Sequence, residues 1–132
     1  AIDIKAHPPH VEAYDGDTIP FDAQSFDLAV CLYVFHHIER TRALLQQLHR
    51  TSRYALIFED LVEETQHPLL SRFFFGAHFL MFQQPFHTHL DKTRKEWRAV
   101  LKQAGFMLVE EFDVQPTSAI PYRRVGFLLE AK

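Results

Sequence analysis

The stretch that decides the fold is Phe-Asp-Leu-Ala-Val-Cys-Leu-Tyr-Val-Phe at residues 26–35. It is almost continuously apolar, which is typical of a strand buried on both faces in a parallel sheet. A pair of histidines, His36 and His37, follows it directly. The pattern therefore predicts a central strand over residues 26–35 that the two histidines close.

The segments on either side predict an alternation of strands and helices. Upstream, short strands are expected at residues 1–5 and 11–14, with turn chemistry at residues 15–17. Downstream we expect the following elements: a helix at 39–50, a strand at 53–60 ending in two acids, a helix at 91–104 that Gly105 ends, and strands at 106–114 and 124–130. This order predicts an α/β domain with a largely parallel sheet and an antiparallel last strand.

Composition limits the function classes. A formal net charge of -3 gives no basic surface for duplex nucleic acid. No run of about 20 apolar residues is present to span a membrane, and no signal peptide appears. The single cysteine excludes an internal disulfide and favours a reducing, cytoplasmic location. The chain begins at Ala1, which fits removal of a start methionine and fits a fragment equally well.

Three consecutive motifs resemble a known family. They are Tyr-Asp-Gly-Asp-Thr-Ile-Pro-Phe at 14–21, Ser-Phe-Asp-Leu-Ala-Val at 25–30 and Val-Phe-His-His-Ile at 34–38. Farther on, the segment from Trp97 to Gly105 and Phe106 keeps the family's order. Together they are similar to small-molecule, class I S-adenosylmethionine (SAM) dependent methyltransferases. The resemblance covers essentially the whole chain and corresponds to the C-terminal two-thirds of that family.

The resemblance implies a Rossmann-like methyltransferase sheet with SAM across the carboxyl ends of its strands, where open α/β sheets bind ligands. It implies that Asp3 holds the ribose hydroxyls and that Asp15 meets the adenine amine. Gly16 and Asp17 would offer backbone near the ring. The methionine portion would lie beside residues at the end of the 26–35 strand, namely Cys31, Leu32 and Tyr33.

Part of the family's pattern has no counterpart here. Nothing matches its first strand, its glycine-rich loop or the helix after that loop, and the chain has only 4 glycines. The expected architecture is one truncated methyltransferase-like domain over residues 1–132. In the family the first strand lies beside the strand at 26–35, so a gap is expected there. Either the strands close up, or two copies meet there as a homodimer, which we favour; a separate partner polypeptide supplying the missing strand is a third alternative.

A phenylalanine-rich segment interrupts the family's order. Six of the 13 phenylalanines lie at residues 73–86, and the spacing predicts an inserted helix over about 66–86 that is apolar on most sides. Such a helix is buried or covers something apolar. One interpretation is a core or dimer-facing helix. The other is a lid over an acceptor pocket, lined by Phe74, Phe75, Phe79 and Phe82.

The function that these features predict is methyl transfer from SAM to a small, apolar or aromatic acceptor. His36 or His37 would take the acceptor's proton, since histidine titrates near neutral pH. The alternative is a non-catalytic, oligomeric binding module derived from such an enzyme, with Asp3 and Asp15 as ordinary turn residues. The pair His87 and His89 lacks the further ligands that zinc needs, so no metal is predicted.

Overall fold

A computed structural model of the chain describes residues 2–3, 9–61, 69, 73, 77, 92–114 and 123–132. Nearly all of the predicted phenylalanine-rich helix, including Phe74, Phe75, Phe79 and Phe82, lies outside the described residues. The described strands are β1 (Ile2–Asp3), β2 (Glu12–Ala13), β3 (Phe26–Leu32), β4 (Ser52–Leu61), β5 (Phe106–Val114) and β6 (Arg123–Ala131). The helices whose two ends lie among the described residues are a 3-10 helix (Phe35–His37), α1 (Thr41–Thr51) and α2 (Arg94–Gln103).

The main sheet has four strands in the order β3-β4-β6-β5. β3 runs parallel to β4, whereas β6 is antiparallel to both of its neighbours. Three of the four strands therefore share one direction and the last strand opposes them, which confirms the predicted α/β fold with an antiparallel last strand. β1 and β2 form a separate, parallel two-stranded sheet.

The hydrophobic core lies on one face of the four-stranded sheet. Alternate residues of β4 and β6, such as Ile57 and Phe127, are completely buried there, as the two-residue period of a strand requires. Both helices cover this face. The ring of Trp97 on α2 lies 5.7 Å from that of Phe35 and 6.4 Å from that of Phe127, so α2 binds the sheet and the 3-10 helix at once.

Local signals explain where α2 begins and ends. The Thr93 hydroxyl and the Glu96 carboxylate form a reciprocal capping box, which satisfies donors that the first turn of a helix leaves open. Gly105 follows the helix with a φ of 96°, a conformation that glycine adopts without steric cost. The predicted stop at Gly105 and the predicted strand at 106–114 are therefore confirmed.

The opposite face of β3 is exposed. Leu28, Val30 and Leu32 are 46%, 52% and 56% accessible. Within the described residues β3 pairs only with β4, and neither β1 nor β2 closes against it. The alternative in which the strands close up around the gap is therefore wrong for the part of the chain that the structure describes.

The strand predicted over residues 26–35 is three residues shorter in the structure. β3 ends at Leu32, and Phe35 begins the 3-10 helix. Tyr33 has a φ of 56°, which turns the chain out of the extended conformation. The apolar pattern could not reveal the earlier end of the strand, because Phe35 is completely buried whether it lies in a strand or in a helix. In the structure its ring packs against that of Trp97.

Candidate active site

A buried carboxylate organises the carboxyl ends of β3 and β4. Glu59 on β4 has no exposed surface. Its Oε1 accepts hydrogen bonds from the backbone N–H groups of Val34 at 3.0 Å and Phe35 at 2.8 Å. Its Oε2 lies 3.0 Å from Nδ1 of His36. Because an unpaired buried charge is costly, these contacts explain how Glu59 is tolerated in the core.

The two predicted catalytic histidines lie in the 3-10 helix rather than at a strand end. Their ring centroids are 4.0 Å apart. The side chain of His36 is only 13% exposed and faces Glu59, whereas His37 is exposed. The structure therefore gives the two neighbouring histidines different environments, as expected for adjacent residues of which one is oriented by the protein.

An aromatic and charged group follows β3 directly. The guanidinium of Arg124 lies 4.8 Å from the centre of the Tyr33 ring, and its Nε donates to Oδ1 of Asp60 at 3.0 Å. The Tyr33 N–H donates to the carbonyl of Phe58 at 2.9 Å. These contacts hold Tyr33 in a backbone conformation that is uncommon for a residue with a side chain, and such conformations cluster at functional sites.

Burial affects two ionisable groups near this position. It raises the pKa of Asp60 above its usual value, although the neighbouring Arg124 acts to lower it. It also raises the pKa of the Cys31 thiol to about 12, and the negative charge of Glu59 adds to the effect. Cys31 is therefore a neutral, half-buried thiol rather than a nucleophile.

The turn that carries Asp15 is built around its own carboxylate. Oδ1 of Asp15 accepts from the backbone N–H groups of Asp17 at 2.8 Å and Thr18 at 2.7 Å. The hydrogen bond from Thr18, followed by that from Asp17, lowers the pKa of Asp15 below its usual value. Gly16 has a φ of 86°, which a residue with a Cβ adopts at a cost. The turn thus presents an exposed, ionised carboxylate.

Two arginines fasten this turn region to the main domain. Arg40, just after the 3-10 helix, donates to Oδ1 of Asp17 at 2.7 Å. Arg50 at the end of α1 donates to the carbonyls of Ile19 at 2.8 Å and Phe21 at 2.7 Å. Contact with Arg40 joins the loop after β2 to the loop after β3, so both loops lie at the edge where the strands end.

The structure orders the predicted cofactor-binding residues along this edge. Asp3 ends β1 and is in register with Ala13 of β2, two residues before Asp15. Cys31 and Leu32 end β3, and Tyr33 follows it. The role of these residues in cofactor binding stays a prediction.

Sequence reasoning missed three residues of the site: Glu59, Asp60 and Arg124. A signal for the two acids was present, because two charged residues end an otherwise apolar strand at the carboxyl edge of a parallel sheet, where ligands bind. No comparable signal marked Arg124. It lies on β6, and only the antiparallel register of β4 and β6 places it opposite Asp60.

Two further observations concern the described residues alone. No group of three histidine, cysteine or acidic side chains among them is arranged to hold a metal ion. No helix in the described ranges has the length and apolar character needed to cross a membrane.

Comparison with known proteins gives the class. Residues 3–54 match the family model described as a methyltransferase domain. No curated protein matches the sequence. Many solved structures match the fold, among them a candidate methyltransferase from Bacillus halodurans at 13% identity and a TM-score of 0.61, covering 92% of this chain and 71% of that one.

Two other solved structures extend the comparison. A SAM-dependent methyltransferase from Aquifex aeolicus is 16% identical with a TM-score of 0.62, and covers 92% of this chain and 55% of its own. A candidate methyltransferase from Haloferax volcanii, solved in complex with the activator Trm112, is 14% identical with a TM-score of 0.60, and covers 92% and 60%. The chain therefore spans between just over half and about 70% of these proteins.

The fold is that of a Rossmann-like α/β protein, and the cluster of candidate site residues lies at the carboxyl ends of its strands. The predicted resemblance is confirmed: residues 3–54 match the methyltransferase-domain family model, and the described chain shares its fold with solved SAM-dependent methyltransferases.

Proposed function

We propose that the protein transfers a methyl group from SAM to a small, apolar or aromatic acceptor. The observation that carries the proposal is the family match over residues 3–54, because this segment contains every predicted cofactor position and both histidines. The structure supports it by tying the Asp15 turn to the loop after β3 through Asp17 and Arg40.

The residues at this edge fit SAM in chemical type. Asp15 offers an ionised carboxylate to the adenine amine, and Asp3, at the end of the adjacent parallel strand, would hold the ribose hydroxyls. Gly16 and Asp17 would contact the ring through their backbone. Leu32 and Tyr33, with Cys31, would lie against the methionine portion, and a neutral thiol suits that apolar contact.

The chain's own contribution to the chemistry is positioning and proton transfer. Bound SAM supplies a methyl group on a sulfonium, which an acceptor atom attacks in line. Holding two reactants in that geometry is a large part of the rate enhancement available to such enzymes. His36 or His37 takes the proton that a hydroxyl or amine acceptor releases.

The acceptor pocket is proposed to be aromatic. Tyr33 and Phe58, whose ring centroids are 6.5 Å apart, provide its described part. Phe74, Phe75, Phe79 and Phe82 are proposed to complete it as an inserted lid. This composition favours an apolar or aromatic acceptor over a charged one, because apolar walls give no compensation for a desolvated charge.

Calorimetric titration with S-adenosylhomocysteine tests the proposal. We expect binding at micromolar strength, weakened at least about tenfold by Asp15→Ala, which is about 1.4 kcal/mol. Asp15→Asn separates two roles, because an asparagine oxygen still accepts the turn N–H groups but the side chain carries no charge. Asp22→Ala, in the exposed loop before β3, is the matched control.

The outcomes discriminate clearly. Weaker binding by Asp15→Asn with unchanged thermal stability supports a ligand role for this carboxylate. Unchanged binding by both Asp15 variants would remove it from the site. No binding by the wild-type chain at millimolar ligand would exclude methyl transfer by this chain alone.

A second candidate function, a non-catalytic homodimeric module, is favoured by the outer edge of β3, which pairs with no other strand in the described part of the chain. The strand is nearly self-complementary about Ala29: an antiparallel copy would place Leu28 of one chain opposite Val30 of the other, and each edge would gain a backbone partner. A second copy is therefore the proposed occupant. A sedimentation measurement that shows a monomer at high micromolar concentration contradicts it and leaves a separate partner polypeptide as the alternative.

The solved Haloferax complex lends support to a partner, since a protein of this fold is found there with an activator. A cytoplasmic location is also proposed. It is supported by the single cysteine, which is in the thiol state.

A further inference from the structure

We propose that Glu59 is a positioning residue that keeps a proton on Nδ1 of His36 and thereby makes Nε2 the atom that accepts the proton of the methyl acceptor. The proposal rests on the methyltransferase function above. It decides between the two histidines and assigns a role to a buried acid that the sequence did not mark as functional.

The two oxygens of Glu59 have separate tasks. Oε1 accepts from Val34 and Phe35 and so fixes the backbone of the 3-10 helix that carries the histidines. Oε2 is directed at Nδ1 of His36, 3.0 Å away. One side chain with no exposed surface therefore sets both the position of the helix and the orientation of one ring.

The chemistry of the pair fixes the tautomer. A carboxylate can only accept a hydrogen bond, so Nδ1 of His36 must be the donor. In the neutral ring the lone pair is then on Nε2. The transfer would balance as follows: the acceptor's O–H or N–H bond breaks and an Nε2–H bond forms, while the acceptor's electron pair bonds to the methyl carbon. The methyl–sulfur bond of SAM would break at the same time, its electron pair would stay on sulfur, and S-adenosylhomocysteine would leave.

Burial distinguishes His36 from His37. The side chain of His36 is 13% exposed, and its Nδ1 edge lies against the completely buried Glu59. His37 is exposed, and its ring lies beside that of His36, tilted by 49° with a centroid distance of 4.0 Å. Fixing a base in one tautomer and one orientation is the usual way in which a hydrogen-bonded carboxylate assists a histidine.

The described charged and titratable groups around His36 include Glu59, Asp60 and His37. Glu59 bonds it directly, and Asp60 interacts with it electrostatically while paired to Arg124. The ring of His37 lies beside that of His36, tilted by 49°. Of the two acids only Glu59 offers its carboxylate to Nδ1, because consecutive residues of a strand point to opposite faces.

Nitrogen NMR of the histidine rings in the full 132-residue chain tests the proposal without an acceptor. Wild-type His36, assigned by comparison with His36→Gln, is expected to carry its proton on Nδ1 in the neutral ring. In Glu59→Gln the amide oxygen can still accept from Val34 and Phe35, but an amide nitrogen replaces Oε2. The proton of His36 is then expected to move to Nε2, while the amide signals of Val34 and Phe35 keep their positions.

Asp60→Asn is the matched control. It removes a neighbouring negative charge without touching the Nδ1 contact, so the tautomer of His36 is expected to stay as in the wild type. If an acceptor is found, Glu59→Gln is expected to lower kcat by about 100-fold, as for loss of a general base, with the KM for SAM unchanged.

Three results would overturn the proposal. They are a wild-type His36 protonated on Nε2, a tautomer that Glu59→Gln leaves unchanged, and a Glu59→Gln enzyme with wild-type kcat. Because the ring measurement needs no ligand, it separates this inference from the proposed function: failure to bind S-adenosylhomocysteine with the expected tautomer present would overturn methyl transfer and the proton transfer with it.

Discussion

The two edges of the main sheet differ in how they are protected. β5, at one edge, has a bulge between Leu108 and Glu110, and its acidic residues bind arginines of α2. β3, at the other edge, has a regular ladder to β4 and a single charge, at Asp27. Bulges and charges are the devices that stop edge strands from pairing with other chains.

The difference shows which edge of the sheet is protected against pairing with another chain. Val30 on β3 is 52% exposed and Val109 on β5 is 49% exposed, so exposure of apolar side chains alone does not separate the edges. The two edges differ instead in the regularity of the backbone ladder and in the number of charged residues. The β5 edge is built to face solvent, whereas the β3 edge has the features of a strand that pairs on both sides.

Of three substitutions that test this contrast, Val30→Lys should have the largest effect. A charge in the middle of β3 should weaken the proposed association of two copies at least about 100-fold, or about 2.7 kcal/mol, measured by sedimentation equilibrium. Val109→Lys, at the matched position on β5, should leave association unchanged. Equal effects of the two lysines would end the distinction between the edges.

Gly126→Ala should have the second largest effect, and it tests how firmly β5 is packed against the sheet. A Cβ at Gly126 would lie 2.4 Å from the ring of Phe112, which covers this glycine from the neighbouring strand. The ring also lies 5.8 Å from that of Phe58, so it has little room to move. We expect a loss of about 2 kcal/mol in the free energy of unfolding, measured by urea denaturation.

A control for this substitution is Ala99→Gly on the exposed side of α2, where only helix propensity changes, by about 1 kcal/mol. A Gly126→Ala protein as stable as the wild type would show that Phe112 can leave its position, and that β5 is less firmly attached than the contacts indicate.

Glu111→Gln has the smallest expected effect and tests the charge protection of β5. Glu111 accepts from Arg98 at 2.6 Å and 2.8 Å and from Arg94 at 2.9 Å, and the bond from Arg98 is the main reason that its pKa is lowered from the ordinary value of 4.5. A lowered pKa means that this stabilisation is complete above pH 4.5 and is lost as the pH falls through the folded-state value.

The difference in unfolding free energy between wild type and Glu111→Gln should therefore be about 1 kcal/mol near pH 7 and shrink under acid conditions. Denaturant titrations at pH 7 and pH 3 measure it. A difference that stays constant over this range would mean that the ionised carboxylate contributes nothing specific.

The sequence predicted the fold better than it predicted the site. The bounds of β5 were predicted to the residue, because Gly105 and the alternation after it are local signals. The end of β3 was predicted three residues too late, since Tyr33 to Phe35 are as apolar as the strand itself. What ends the strand is Glu59, a residue 24 positions away from Phe35, and a long-range hydrogen bond leaves no periodicity to read.

The candidate site divides in the same way. The positions of Asp15, Tyr33 and the histidines followed from contiguous motifs, and their roles remain predictions. The partnership of Tyr33, Arg124 and Asp60 depends on the register of β4 with β6, which no local pattern specifies.

The hydrogen bonds from Arg50 to the loop after β2 should make part of that loop insensitive to high ionic strength. Two of its guanidinium bonds go to the backbone carbonyls of Ile19 and Phe21, which are neutral, and both bonds are partly buried. The companion tie from Arg40 to Asp17 is an exposed ion pair, which added salt weakens. In concentrated salt the loop should therefore stay attached through Arg50 while the Asp15 turn becomes more mobile, so the proposed contact of Asp15 with adenine should weaken before the fold does.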